Sequence, residues 1–72
     1  MTSKERYWVG EVNEHDDFEQ VIGEEFIDGK TLGGPWAIMT PASWAKHGVG
    51  KLGTGYGQRY KKTLGRWPKV EG

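Results

Sequence analysis

The chain reads as a small α+β domain, a few short antiparallel strands joined as hairpins with one short helix near the middle. Three observations predict it. The apolar runs are short and suit strands better than long helices, glycine and proline clusters separate them, and a single segment carries both a helix start and a helix stop.

Taken in order, residues 6–12 alternate around Tyr7, Val9 and Trp8 and predict a first strand. Residues 13–17 are polar and predict a turn. Phe18, Val21 and Ile22 follow the capping candidates Asp16 and Asp17 at helical spacing, which predicts a short helical turn closed by Gly23. Residues 25–27 and Thr31-Leu32 then form a small hairpin around Asp28-Gly29, because Asp-Gly readily supplies the positive φ angles of a tight turn. Gly33-Gly34-Pro35 breaks the chain, and Trp36–Met39 is apolar enough to be a buried strand.

Thr40-Pro41 begins the helix. Threonine caps exposed backbone donors, and proline at the first helical position loses no needed N–H. The helix is predicted over Pro41–His47, with Gly48 ending it and Lys46 and His47 at the negative end of its dipole. Residues 48–57 are a glycine-rich loop. Residues 58–63 and 66–70 form a second hairpin around Leu64-Gly65, and Pro68 places the last strand at an edge.

Seventy-two residues make one domain near the size at which a hydrophobic core only just outweighs chain entropy. The chain has no cysteine and only two histidines, His15 and His47, so neither a disulfide nor an ordinary zinc site supports it. Cohesion must come from four tryptophans, three tyrosines and two phenylalanines. Both chain ends are expected to be flexible. No segment has the apolar length of a membrane span, and the expectation is a cytoplasmic protein with no membrane partner.

The net charge of zero hides a segregation. Residues 1–29 carry nine acids against Lys4 and Arg6, a balance of −7, whereas residues 30–72 carry eight cations against Glu71, a balance of +7. Either the halves neutralise one another across the fold, or the basic half faces an acidic partner.

No motif for chemistry survives inspection. Gly29-Lys30-Thr31 imitates the end of a phosphate-binding P-loop, but Glu24 stands where the first glycine is needed. Gly50-Lys51 fails likewise at Ala45 and Leu52. Gly48, Gly50 and Gly53 match the bare dinucleotide pattern without the long helix and surrounding sheet that give it meaning. Those glycines serve tight turns and close packing against tryptophan. The histidines lack partners at metal-ligand spacing, and Ser43 has no nucleophile-elbow context, so no enzyme activity, metal or cofactor is expected. Tyr56, Arg59, Tyr60, Lys61, Lys62 and Arg66 interleave rings with positive charge, the composition of a nucleic-acid surface, although an amphipathic strand has it too.

Three pieces carry a resemblance: Phe26-Ile27-Asp28-Gly29-Lys30-Thr31, Gly34-Pro35-Trp36-Ala37-Ile38-Met39 and Leu52-Gly53-Thr54-Gly55-Tyr56-Gly57-Gln58-Arg59-Tyr60. The block they mark out, residues 26–60, is about half the chain, and it resembles a group of small phage and prophage proteins. Many members of that group carry cysteines upstream of the first piece and just after the methionine, as if to hold zinc. Here Thr40 and Ser43 stand at the latter positions, and Lys51 is an extra residue before Leu52. The resemblance therefore implies a zinc-ribbon-like framework that keeps its turns and does without metal.

The resemblance also implies phage origin, and small phage proteins without catalytic groups often bind and redirect host machinery. The expected function is stoichiometric binding of a monomer to a host protein complex, with RNA polymerase the favoured target and transcription inhibited or modulated. Tyr7 and Trp8, if the first strand lies at an edge, with Arg59, Lys61 and Lys62 as charged contacts, are the expected partner-binding residues. The alternative is a nucleic-acid-binding accessory protein that uses the basic hairpin near the C-terminus.

Overall fold

The computed structural model describes residues 6–72. Four antiparallel strands, β1 (Glu25–Lys30), β2 (Trp36–Met39), β3 (Gly57–Lys61) and β4 (Lys69–Glu71), form one sheet in the order β2-β1-β3-β4, and helix α1 (Pro41–His47) packs on β1 and β2. The fold is α+β, as expected.

Register shows how both faces of the sheet are used. Ile27 lies opposite Met39 and Arg59, while Phe26 lies opposite Tyr60, and residues directly opposite share a face. Ile27 and Met39 therefore point to the helix and Phe26 to the other side, and all three are fully buried. On that second face Phe26 meets Trp8 edge-on at 5.2 Å, stacks on Tyr60 at 5.1 Å and touches Trp67 at 5.1 Å. The helix covers one side of the sheet, and Trp8 and Trp67 cover Phe26 on the other.

Trp44 explains the central glycines. A Cβ on Gly29 would stand 2.7 Å from its ring, and one on Gly48 would overlap the ring outright. Gly48 caps the helix in extended geometry, with φ −81°, and its N–H reaches Trp44 O. It is glycine for clearance, not for a left-handed cap.

Three local expectations are corrected. Residues 6–12 make no strand: Tyr7 alone bridges, to Pro68, and Gly10 turns the chain at φ +102°. Residues 18–22 are not helical, because the Asp16 side chain takes the backbone N–H groups of Phe18 and Gln20 at 2.8 Å each and Glu19 adopts φ +67°. Asp28-Gly29 is not a turn. It runs straight through β1, with Gly29 between Ala37 and Gly57, and the turn comes later, between Thr31 and Pro35, with Gly34 at φ +116°.

The strand Trp36–Met39 and the helix Pro41–His47 form where expected, with Thr40 Oγ1 accepting the Ser43 N–H as the cap, but the strand is an edge strand and not a buried one, with Trp36 exposed and Met39 alone fully buried. The second hairpin also forms. Thr63 and Arg66 exchange backbone hydrogen bonds of 2.7 and 2.9 Å, and Leu64 and Gly65 both have positive φ, as a two-residue hairpin turn requires. β4 is the last strand in the sheet order, yet Pro68 is flanked there by Tyr7. Pairing reaches Glu71; the expectation of a flexible N-terminus concerns residues 1–5, outside those described.

Thr40 and Ser43, where the resemblance implied metal ligands, are buried among hydrogen bonds. Asp16 Oδ2 accepts the Thr40 N–H at 2.8 Å, and Thr40 Oγ1 donates to Ser43 Oγ at 3.2 Å. Among the described residues, no three side chains of the metal-binding types come together.

Candidate protein-docking surface

The hairpin between β3 and β4 builds the most exposed apolar surface. Its turn lifts Leu64 to 98% exposure. Beside it the register between β3 and β4 slips, pairing Arg59 with Glu71 and Tyr60 with Lys69, so Val70 has no opposite residue and is 50% exposed. Tyr7 is held alongside by its bridge to Pro68, fixed by Trp8 N–H to Trp67 O at 2.9 Å and Lys69 N–H to Arg6 O at 2.6 Å. These residues, with Thr63, Arg66, Pro68 and Lys69, line an open groove of about 540 Å³.

Tyr7 and Arg66 form a ridge, the guanidinium lying 5.5 Å from the ring centroid. A second groove of about 420 Å³ lies across it, lined by Trp8, Val9, Gly10, Gly65 and Trp67, with Val9 90% exposed. Neither groove is lined by a carboxylate. The ion pairs among the described residues gather on Arg59, which reaches Glu25 at 3.0 Å and Glu71 at 3.4 Å. Lys61, Lys62, Arg66 and Lys69 thus have no carboxylate in ion-pair range among those residues. Asp16 and Asp17 bind the outer edge of β2 through Thr40 and Ile38, at the opposite side of the sheet from β4, whereas Glu25 of the acidic half pairs with Arg59 of the basic half.

The expected contact residues separate on this geometry. Tyr7 lines both grooves. Trp8 lines one but spends its ring on Phe26 and on Tyr60, 5.5 Å away. Arg59 is tied across three strands. Lys61 and Lys62 are exposed, Lys62 with its ammonium 6.0 Å from the Trp67 ring. Leu64 and Val70 escaped the sequence reading. The signal for them was a leucine at a turn position that normally takes asparagine or glycine.

Elsewhere the surface offers little chemistry. A cavity of about 100 Å³ beneath residues 11–17, walled by Trp8, Phe26, Ile38 and His15, has room for a few waters. His47 stacks on Phe18 at 4.1 Å and Lys51 sits 4.1 Å over Tyr56. Burial, and secondarily Asp17, pushes the Asp28 carboxyl up, and burial does the same to the Tyr60 phenol. No helix among the described residues is long and apolar enough to cross a membrane.

Comparison with family models, with curated proteins and with solved structures gives no match.

Proposed function

We propose that this protein is a phage-type regulator that works as a monomer by stoichiometric binding to a host protein complex in the cytoplasm. The favoured target is RNA polymerase, with transcription inhibited or modulated. One observation carries the docking part: Tyr7, Leu64 and Val70 display apolar surface in one groove whose charged walls, Arg66 and Lys69, are both positive. Interfaces are anchored by such aromatic and aliphatic groups, while unmatched charge speeds and orients the encounter. The resemblance of residues 26–60 to small phage proteins supports the host target. No catalytic step is assigned.

The test is capture of purified host RNA polymerase on the immobilised protein, with stoichiometry measured and transcription assayed in parallel. Near-equimolar capture with altered transcript yield supports the reading. Absence of capture from both the purified enzyme and host lysate removes it.

The cations Lys61, Lys62, Arg66 and Lys69 favour a second reading, nucleic-acid binding by the hairpin. Titration with single-stranded and duplex DNA at two salt concentrations separates them, because phosphate-driven binding weakens steeply as salt rises.

A further inference from the structure

We propose that Leu64 anchors this docking surface and that the groove's occupant is an acidic segment of a partner protein, with aliphatic side chains set between its carboxylates. The inference rests on the docking reading and specifies what docks.

Leu64 is a residue that folding does not want where it stands. Its φ is +52° and that of Gly65 is +78°, the mirror-image turn that joins right-twisted strands and favours Asn-Gly. A leucine in that region carries the steric cost of a Cβ facing the wrong way, with no polar atom to bond the turn. Burial gives nothing back, since the side chain is 98% exposed. Local strain without a packing return points to use by a partner. The neighbours agree. Val70 is displayed where the β3-β4 register slips, and Tyr7 is presented by its bridge to Pro68.

Charge selects the occupant. Arg66 and Lys69 line the groove, Arg6 adjoins Lys69 through its carbonyl, and Arg66 belongs to the same turn as Leu64. A neutral or basic segment would leave these cations unanswered while covering them. A nucleic acid answers the charge but has little to set against Leu64 and Val70, and the rings it would stack on are engaged. Trp8, Tyr60 and Trp67 pack around Phe26, and Tyr7 already lies beneath Arg66. Carboxylates alternating with leucine or valine meet both demands.

The experiment is an NMR titration of the isotopically labelled full chain with a short peptide alternating glutamate and leucine. Its glutamine-for-glutamate counterpart and a single-stranded oligothymidine of equal charge serve as comparison probes. Shifts confined to the amides of Tyr7, Leu64, Arg66, Lys69 and Val70 are expected with the acidic peptide. Binding should fall about tenfold with Leu64→Asn, as loss of an interface anchor does, while thermal stability stays level or rises because asparagine suits the turn. Arg66→Gln with Lys69→Gln should weaken binding of the acidic peptide but not of its glutamine counterpart. Unchanged binding in Leu64→Asn, equal binding of the glutamine peptide, or tighter binding of oligothymidine each overturns the proposal. Polymerase capture that persists undiminished in Leu64→Asn also overturns it and leaves the docking reading intact; failed capture with a successful titration removes only the polymerase target.

Discussion

Asp16 accepts the backbone N–H of Thr40 at 2.8 Å, joining the loop before β1 to the start of helix α1 across 24 residues of sequence. The same carboxylate takes the N–H groups of Phe18 and Gln20 and a hydrogen bond from the Ser43 side chain. One buried anion thereby organises a loop, a strand end and a helix cap.

That arrangement predicts acid sensitivity. Burial alone would raise the Asp16 pKa, but hydrogen bonds from Ser43, Thr40, Gln20 and Phe18 together outweigh it and bring the group from 3.8 to about 2. A carboxyl with a depressed folded pKa stabilises the fold above its unfolded value and loses that contribution as pH falls through the folded one. Stability should therefore drop by about 2 kcal/mol between pH 4 and pH 2, since each tenfold change in proton affinity is worth roughly 1.4 kcal/mol. Asp16→Asn should cost about 2 kcal/mol at neutral pH and flatten that acid limb in denaturant melts.

Gly29→Ala should destabilise by about 1–3 kcal/mol, since the new methyl would stand 2.7 Å from the Trp44 ring in a packed layer. The check is a chemical melt followed by tryptophan fluorescence. Restoration of stability by the double variant with Trp44→Leu would locate the clash at that ring.

Trp8 and Tyr7 should behave oppositely although they are adjacent. Trp8→Ala removes the edge contact with Phe26 and should cost about 2–4 kcal/mol, near the limit of what a domain this size tolerates. Tyr7→Ala, at a side chain 38% exposed, should cost under about 1 kcal/mol and show its effect in binding. Thermal melts of the two variants give the comparison.

Arg59→Met should lower stability by roughly 1 kcal/mol at most, because both ion pairs are partly exposed and screened. The difference from the unaltered protein should shrink as salt is added.

The legible parts of the fold were those fixed by local chemistry. Thr40-Pro41 and Gly48 bound the helix by capping rules, and Leu64-Gly65 separates two runs that can only fold back on each other. The misread parts depend on distant partners. Asp28-Gly29 carries the signature of a turn, but Gly29 is a glycine because Trp44 lies over it, fifteen positions along the chain. Asp16 resembles a helix cap and instead holds Thr40. Of the candidate site, Tyr7 was named on a first strand that does not form, and its place beside Pro68 and Arg66 is set by the fold. Trp8 and Arg59 were not distinguishable from contacts, since ring clusters and cross-strand ion pairs exist only once the register is set.

The bridge between Tyr7 and Pro68 ties one of the first described residues to one of the last. Trp8 and Trp67 both pack on Phe26 although they are far apart in sequence, so the aromatic face of the sheet closes only when these two segments meet. Until then Phe26 is open on one side, and a partly folded molecule would offer that ring to chaperones and proteases. The groove that Tyr7, Pro68 and Val70 line forms with that closure, so a partner that recognises the groove selects folded molecules.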